Sequence, residues 1–311
     1  MDRPGAFARA LSLAAAAFLV AAAVPRPALK AERWLAPGSD RAAALGAAPA
    51  ECLPAIRDPE RRWRVEVGRA AFRSPLVLGG QAAKAGLSCN ACHRSGRDNP
   101  AFQFPGLSGA PGTADVTSFL MSSKRGDDRA DPRPIPDLSG PGERLKVPRD
   151  GQALETFVHG LVTEEFEGLE PPAAVMEGLV AYVRALSPVA CPKAATRPVT
   201  VADTLEDARR ALRAADGALA RRDSATAQAM VLAARDALGR IDERFADPSL
   251  QGERAFVRVY DFGLAALRQA MRSDDPGARR RIAEWIAGSA DLERRLVRVE
   301  DRSLFNPARL R

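Results

Sequence analysis

The segment Cys89-Asn90-Ala91-Cys92-His93 carries the most specific chemical pattern in this 311-residue chain. Its two cysteines are separated by two residues, and a histidine follows the second cysteine directly. Two thiols at this spacing lie about one helical turn apart and can add to the two vinyl groups of one porphyrin. The imidazole of the next residue can then bind the iron as its proximal ligand. The pattern therefore predicts one covalently attached haem c, held by Cys89, Cys92 and His93.

Two other kinds of site use a Cys-x-x-Cys pair, namely a thioredoxin-like redox pair and half of a zinc site. A redox pair has no need of the adjacent histidine. A zinc site needs a second pair of Cys or His ligands, whereas the chain has only two histidines, His93 and His159. The histidine therefore favours haem over both alternatives.

Residues 1–24 have the pattern of a signal peptide. Arg3 and Arg9 form a short basic region, an apolar stretch runs from Ala10 to Val24, and Pro25 follows small residues suited to cleavage. An uncleaved membrane anchor is the alternative, although the stretch is shorter than the roughly 18 residues of an ordinary transmembrane span. Either way the rest of the chain is exported. Bacteria attach haem to thiols on that side of the membrane, so the sequence predicts a periplasmic protein.

The charge of the chain does not indicate a nucleic-acid binder. Lys and Arg number 46 against 39 Asp and Glu, for a net charge of +7, and the two signs are interspersed along the sequence. No basic patch of the kind that binds phosphates is evident. Docking to an acidic redox partner protein is compatible with this charge.

Composition and hydrophobic periodicity predict an all-α fold with two folded units. The signal peptide is followed by an Ala-, Pro- and Gly-rich linker, a small haem domain with long loops, a C-terminal antiparallel helical bundle and a tail. The predicted boundaries are, in that order, 1–24, 25–54, 55–192, 198–300 and 301–311.

Three helices are predicted in the haem domain, over 59–72, 152–165 and 173–186. Residues 94–150 are rich in turn-forming residues and predict loops that wrap the porphyrin. Apolar side chains from these loops are expected to line the haem, with ordinary core packing as the alternative for each. They are Phe102, Phe104, Leu107, Phe119 and Leu120.

Four helices are predicted in the bundle, over 201–221, 225–244, 250–272 and 276–299, because apolar residues recur there at helical spacing. Nothing in their sequence suggests catalysis. The expected role of the bundle is packing or contact with a partner protein.

The first and last helices of the haem domain resemble the pair that crosses in class I cytochromes c. In that family a helix carrying a glycine and, four residues on, an aromatic residue crosses a C-terminal helix that carries an aromatic residue. Gly68 and Phe72 match the first helix, and Leu179 and Tyr182 match the second. The resemblance covers about residues 55–190 and implies a class I cytochrome c-like haem domain.

The segment 67–75 leading into Ser88 and Cys89 also resembles a haem domain of the bacterial di-haem cytochrome c peroxidases. The chain departs from that family because it carries one attachment motif instead of two. The resemblance implies an alternative function, a single-haem peroxidase-like enzyme with an open sixth iron position. Glu164 or Glu165 would then serve as a base near the iron.

The function depends on the group opposite His93. His159 is predicted as the distal ligand because it is the other histidine of the chain and precedes the last helix of the domain, where class I cytochromes carry theirs. The alternative is that His159 is a surface or core histidine on the helix over 152–165. Met121 is the alternative ligand, whereas Met176 falls within the last helix and is expected to pack in the core. A thioether raises the iron potential relative to a second imidazole, and an open position permits peroxide or gas chemistry.

Cys52 and Cys191 are the remaining cysteines and flank the haem domain. In an oxidising compartment two such cysteines usually pair. A bridge between them would close a loop of about 140 residues and stabilise the fold by roughly 4–5 kcal/mol in the chain-entropy model.

These patterns together predict a periplasmic c-type cytochrome that transfers one electron at a time through a single haem. The enzyme with an open iron position is the second interpretation. A sensor or scaffold, in which the bundle transmits a redox or ligand signal, is the third.

Overall fold

The computed structural model describes residues 29–104, 109–117, 122–141, 145–193 and 195–311. The predicted signal peptide lies outside these ranges, as do Leu107, Phe119, Leu120 and Met121. The described chain is predominantly helical and includes a helical bundle, in agreement with the predicted all-α class. Within the described ranges, no helix is long and apolar enough to cross a membrane.

Short helices separated by turns make up the N-terminal half. They are α1 (Arg41–Gly46), α2 (Pro59–Arg73), α3 (Pro75–Leu78), α4 (Gly80–Ala85), α5 (Cys89–Cys92), α6 (Gln152–Gly160) and α7 (Ala173–Ala185), with a π-helical turn over Leu161–Glu165 directly after α6. The Asp58 carboxylate accepts a hydrogen bond from the Arg61 amide and so caps α2, which ends where Pro75 follows Ser74.

Two small antiparallel sheets accompany these helices. One pairs β1 (Ala47–Pro49) with β4 (Thr196–Pro198), and the other pairs β2 (Thr113–Ala114) with β3 (Arg133–Pro134). The second sheet lies within the predicted loop region, so these loops are partly fixed by backbone hydrogen bonds.

The C-terminal half is a four-helix bundle. Helix α9 packs on α8, α10 packs on α9, and α11 closes the bundle by packing on both α10 and α8. Short connections make successive helices antiparallel. The four predicted helices are confirmed to within two residues at each end; they are α8 (Val201–Ala220), α9 (Ser224–Arg244), α10 (Gln251–Arg272) and α11 (Ala278–Val297).

Helices α2 and α7 cross at a pair of glycines. A Cβ atom on Gly68 would lie 1.8 Å from the carbonyl oxygen of Gly178, and one on Gly178 would lie 2.8 Å from the amide nitrogen of Gly68. The predicted aromatic contact is present beside this crossing, with the ring centroids of Phe72 and Tyr182 5.0 Å apart. Only glycine allows the two backbones to approach so closely.

The two halves share one hydrophobic core, because a single cluster of buried apolar residues extends from Val65 in α2 to Phe305 near the C-terminus. Trp63 joins α2 to α8, since its Nε1 donates a 3.0 Å hydrogen bond to the carbonyl of Ala214. Its ring lies so close to Gly217 that a Cβ there would be 2.7 Å away. The halves predicted as two domains are therefore packed directly on each other.

The segments predicted as a linker and a tail also pack together. Leu29 and Leu45 form a small buried cluster with Leu310. The Arg244 guanidinium, at the end of α9, donates hydrogen bonds to the carbonyls of Leu45 and Leu304, at 2.7 and 2.5 Å. These contacts use isolated apolar residues and backbone groups, which leave no periodic pattern in the sequence.

Cys52 and Cys191 form a disulfide with an S–S distance of 2.08 Å. The bridge joins the segment before α2 to the turn after α7. The closed loop therefore contains α2 to α7 and the Cys-x-x-Cys-His motif.

Glu51 binds both helices of the crossing. Its Oε1 accepts hydrogen bonds from Arg69 Nε at 3.1 Å, Arg73 Nη2 at 2.9 Å and the Tyr182 hydroxyl at 2.6 Å. Burial by itself would raise the pKa of Glu51, but Arg73, Arg69 and Tyr182 outweigh burial and lower it from 4.5 to about 2. The carboxylate is thus held charged in a nearly buried position.

Replacing Gly68 by alanine should destabilise the fold by about 1–3 kcal/mol or more, because the methyl group overlaps the Gly178 carbonyl. The matched control is Gly239→Ala in α9, where a Cβ meets no atom within 4 Å. Removing a mid-helix glycine there should stabilise the fold by roughly 0.5–1 kcal/mol. Urea unfolding measures both, and equal midpoints for the two variants would contradict the close crossing.

Replacing Glu51 by glutamine should cost about 3–5 kcal/mol, because two largely buried guanidinium groups lose the nearer of their carboxylate partners. The native carboxylate has a lowered pKa, so its contribution is complete above about pH 4.5 and lost as the pH falls toward 2. Urea midpoints between pH 7 and pH 2.5 should therefore fall less in the variant. Glu177→Gln, at an exposed position, is the control and should change stability by under about 0.5 kcal/mol.

Candidate haem site

Cys89 and Cys92 lie on the single turn of α5. The Ala91 amide bonds to the Ser88 carbonyl and the His93 amide bonds to the Cys89 carbonyl, each at 2.8 Å, so His93 is fixed at the end of the turn. Residues i and i+3 of a helix lie on the same face, which brings the two thiols to one side. The local fold thus presents both thiols and the following imidazole as one unit.

The His93 imidazole is held by a backbone carbonyl. Its Nδ1 lies 2.9 Å from the carbonyl oxygen of Pro136. A carbonyl oxygen only accepts, so Nδ1 carries the hydrogen. Burial lowers the pKa of His93 to about 4, although the Pro136 carbonyl and the carboxylates of Asp137 and Asp98 act in the opposite direction. The ring is therefore neutral near pH 7, and its lone pair is on Nε2, the atom that would bind a metal.

The thiols of Cys89 and Cys92 differ from reactive thiols in their pKa, which is raised instead of lowered. Burial raises the pKa of Cys89 to about 12, and burial together with the neighbouring Cys89 also raises the pKa of Cys92. Disulfide oxidoreductases depend on a thiolate with a lowered pKa. The environment of these two cysteines therefore does not favour a thioredoxin-like redox pair.

An apolar cluster lies beside Cys92. Phe102 and Phe104 are buried with Leu87 and Ile135, and Cys92 packs against this cluster. The ring centroids of Phe102 and Phe104 are 5.0 Å apart. Both phenylalanines were predicted to line the haem; they lie next to the motif and are already packed among themselves, so they can form a wall of the site.

Side chains that the sequence interpretation did not select hold the motif in position. The Asn99 side-chain amide donates to the Ala91 carbonyl at 2.8 Å, and the Asn90 side-chain oxygen accepts from the Ser95 amide at 2.8 Å. Pro136 was also missed. The sequence shows that Pro136 lies in a proline-rich segment between Asp131 and Gly142, but it does not show which carbonyl of that segment faces His93.

His159 lies at the surface. Its side chain is 47% exposed, and its Nε2 is 2.7 Å from Oε2 of Glu170. To bind an iron opposite His93, this imidazole would have to leave its carboxylate partner and turn inward. The arrangement therefore does not favour His159 as the distal ligand. Met121 lies outside the described residues, and Met176 packs against the main hydrophobic core.

Glu164 and Glu165 differ sharply in environment. Glu164 is about half exposed and pairs with Arg125 Nε at 2.9 Å. The Glu165 side chain is 1% exposed; its Oε1 lies 3.1 Å from Arg125 Nη1, and its Oε2 is buried without a hydrogen-bond partner. Burial raises the pKa of Glu165 despite Arg125 and Lys146, which lower it. Of the two, Glu165 is the carboxyl whose burial and raised pKa set it apart from an ordinary surface glutamate.

The donor set around His93 fits a covalently held haem. The two thiols lie one turn apart, the His93 imidazole has a fixed tautomer, and an apolar cluster lies beside one thiol. In the described ranges, no three His, Cys, Asp or Glu side chains lie together in a way that could hold a metal ion. A haem iron takes its protein ligands singly, one on each face, so a haem site has no need of such a group.

Comparisons with protein-family models, with curated proteins and with solved structures find no match to this chain.

Proposed function

We propose that this chain is a periplasmic c-type cytochrome that carries one covalently attached haem c and transfers single electrons. The observation that carries the proposal is the 2.9 Å hydrogen bond between His93 Nδ1 and the Pro136 carbonyl. Because Nδ1 carries the hydrogen, the lone pair of the ring is on Nε2, the atom that would bind iron. His93 directly follows two cysteines whose thiols lie one helical turn apart. A thiol–disulfide pair would gain nothing from a histidine oriented in this way.

The bound haem would supply an iron that alternates between the ferrous and ferric states. Cys89 and Cys92 would hold the porphyrin through thioether bonds, and His93 would bind the iron through Nε2. The carbonyl of Pro136 makes the imidazole a stronger donor by accepting its Nδ1 hydrogen. Phe102 and Phe104 would exclude water beside Cys92.

The proposed periplasmic location is supported by two independent features. Residues 1–24 have the signal-peptide pattern. Cys52 and Cys191 form a disulfide, which persists in oxidising compartments and is rare in the bacterial cytosol.

The proposed class I cytochrome c-like domain is supported by the crossing of α2 and α7. The backbones meet at Gly68 and Gly178, and Phe72 packs on Tyr182 beside them. This is the arrangement that the resemblance to class I cytochromes c implies.

The proposal includes a redox partner protein, with the bundle as the element that docks to it. Helix α10 leaves two large apolar side chains in solvent, Val259 at 62% and Phe262 at 71% exposure. Exposed apolar residues of this size are candidates for a protein contact.

A second candidate function, a single-haem peroxidase-like enzyme, is favoured by Glu165. Its buried carboxyl has a raised pKa and a free Oε2, and the next residue, Phe166, packs against the cluster beside Cys92. A carboxyl that exchanges a proton near the iron could assist peroxide chemistry if the sixth position were open.

The full chain, produced with export and haem-maturation machinery, should contain one haem per chain in the pyridine haemochrome assay. After denaturation without reductant it should show no free thiol, because Cys89 and Cys92 are in thioethers and Cys52 and Cys191 are in the disulfide. The Cys89→Ala/Cys92→Ala variant should lose covalent haem, whereas Cys52→Ala/Cys191→Ala should retain it. A colourless native chain with two free thiols would refute the proposal.

Because His159 is engaged with Glu170, replacing it by alanine should leave the ferric and ferrous absorption spectra unchanged. Met121→Ala is the parallel variant and should convert a six-coordinate low-spin haem to high spin if the methionine is the distal ligand. Conversion in His159→Ala instead would restore the assignment made from sequence. Fast carbon monoxide or peroxide binding by the native protein would favour the peroxidase-like function.

A further inference from the structure

The turn that supplies the Pro136 carbonyl is held from two sides. The Asp137 carboxylate accepts hydrogen bonds from the Ser139 amide at 2.8 Å and the Ser139 hydroxyl at 2.7 Å, which fixes the turn internally. Arg149 donates to the carbonyls of Leu138 and Gly140. The position of the His93 acceptor therefore depends on how this turn is attached to the rest of the fold.

Arg97 connects that turn to the haem motif and to the disulfide. Its Nε lies 2.6 Å from Oδ2 of Asp137, the residue directly after Pro136. Its amide bonds to the Arg94 carbonyl at 2.9 Å, which closes the short turn after His93. Its Nη1 lies 3.4 Å from Cys52 Sγ and 3.9 Å from Cys191 Sγ.

We infer that Arg97 is a positioning residue for His93. By joining Asp137 to the disulfide and to the motif segment, it holds the Pro136 carbonyl against Nδ1 and so sets the donor strength of the imidazole. The inference rests on the proposed haem function, because it concerns the proximal ligand of that haem. Arg97 acts through Asp137 and Pro136 and does not itself bind the iron.

The direction of the effect follows from the hydrogen bond. An imidazole whose Nδ1 hydrogen is firmly accepted is a more basic ligand, and a more basic ligand favours ferric iron. Releasing the turn weakens this bond, so the midpoint potential should rise. Removing a positive charge near the haem, without any change of geometry, would favour ferric iron and lower the potential. The two explanations therefore predict shifts of opposite sign.

The test compares midpoint potentials of the haem-loaded full chain. Arg97→Gln releases the turn, which should shift the potential upward even though the variant also loses one positive charge. Arg97→Lys keeps the charge but cannot make both contacts of a guanidinium, and it should shift the potential in the same direction. Arg133→Gln is the matched control: its side chain is 79% exposed, pairs with Asp131 beside the same loop and carries the same charge.

A second readout follows the imidazole directly. The chain has only two histidines, so ¹⁵N spectra of histidine-labelled full chain contain two imidazoles, and His159→Ala assigns them. In the chain without haem, His93 should show one tautomer, with the hydrogen on Nδ1. Arg97→Gln should give a mixture of both tautomers, while Arg133→Gln should not.

A downward or absent shift of the potential in Arg97→Gln and Arg97→Lys, with one haem per chain retained, would overturn the inference alone. An unchanged His93 tautomer in Arg97→Gln would overturn it as well. A native chain that takes up no haem would instead refute the proposed function. In that case a shift in tautomer would still establish that Arg97 positions His93.

Discussion

The close approach of α2 and α7 is the constraint on which the rest of the structure depends. Gly68 and Gly178 leave no space for a Cβ atom, so the two helices pack backbone to backbone. With one face of α2 fixed in this way, Trp63 on the same helix meets α8 and joins the bundle to the N-terminal half. The C-terminal end of α2 leads through α3 and α4 into α5, which packs back on α2, and the two motif thiols therefore lie beside this helix.

The segment around residue 51 stabilises the crossing of α2 and α7. Glu51 binds two arginines of α2 and the hydroxyl of Tyr182 on α7, while its neighbour Cys52 is bonded to Cys191 beyond α7. The charge network joins this segment to α2 and α7, and the disulfide joins it to the turn after α7 by different physical means. A buried ion pair contributes little net stability on its own but penalises any arrangement that separates its members. The disulfide limits the unfolded chain instead, so the two devices complement each other.

Much of this fold could be predicted from the sequence, and the features that could not be predicted share physical causes. The bundle helices and α2 were predictable because apolar residues repeat at helical spacing over three turns or more. Gly68, Phe72 and Tyr182 were found by a family resemblance, but Gly178, the partner of Gly68, was not, since a glycine in a helix carries no local signal of what faces it. The packing of residues 29–50 against the C-terminus was missed because it relies on single leucines and backbone carbonyls. In the candidate site, the three motif residues were evident, whereas Pro136 becomes meaningful only when the loop has folded onto His93.

The chemistry of the site follows from how its polar atoms are satisfied. The thiols of Cys89 and Cys92 are disfavoured as thiolates, so they are poor partners for disulfide exchange. His93 has one nitrogen bonded to a backbone carbonyl and is kept neutral by burial, which leaves the lone pair of the ring on the other nitrogen. A carbonyl acceptor, unlike a carboxylate, adds no net charge next to the ligand and therefore strengthens the imidazole only moderately. In the proposed cytochrome, such a ligand would serve an iron that has to pass between its ferrous and ferric states by single electrons.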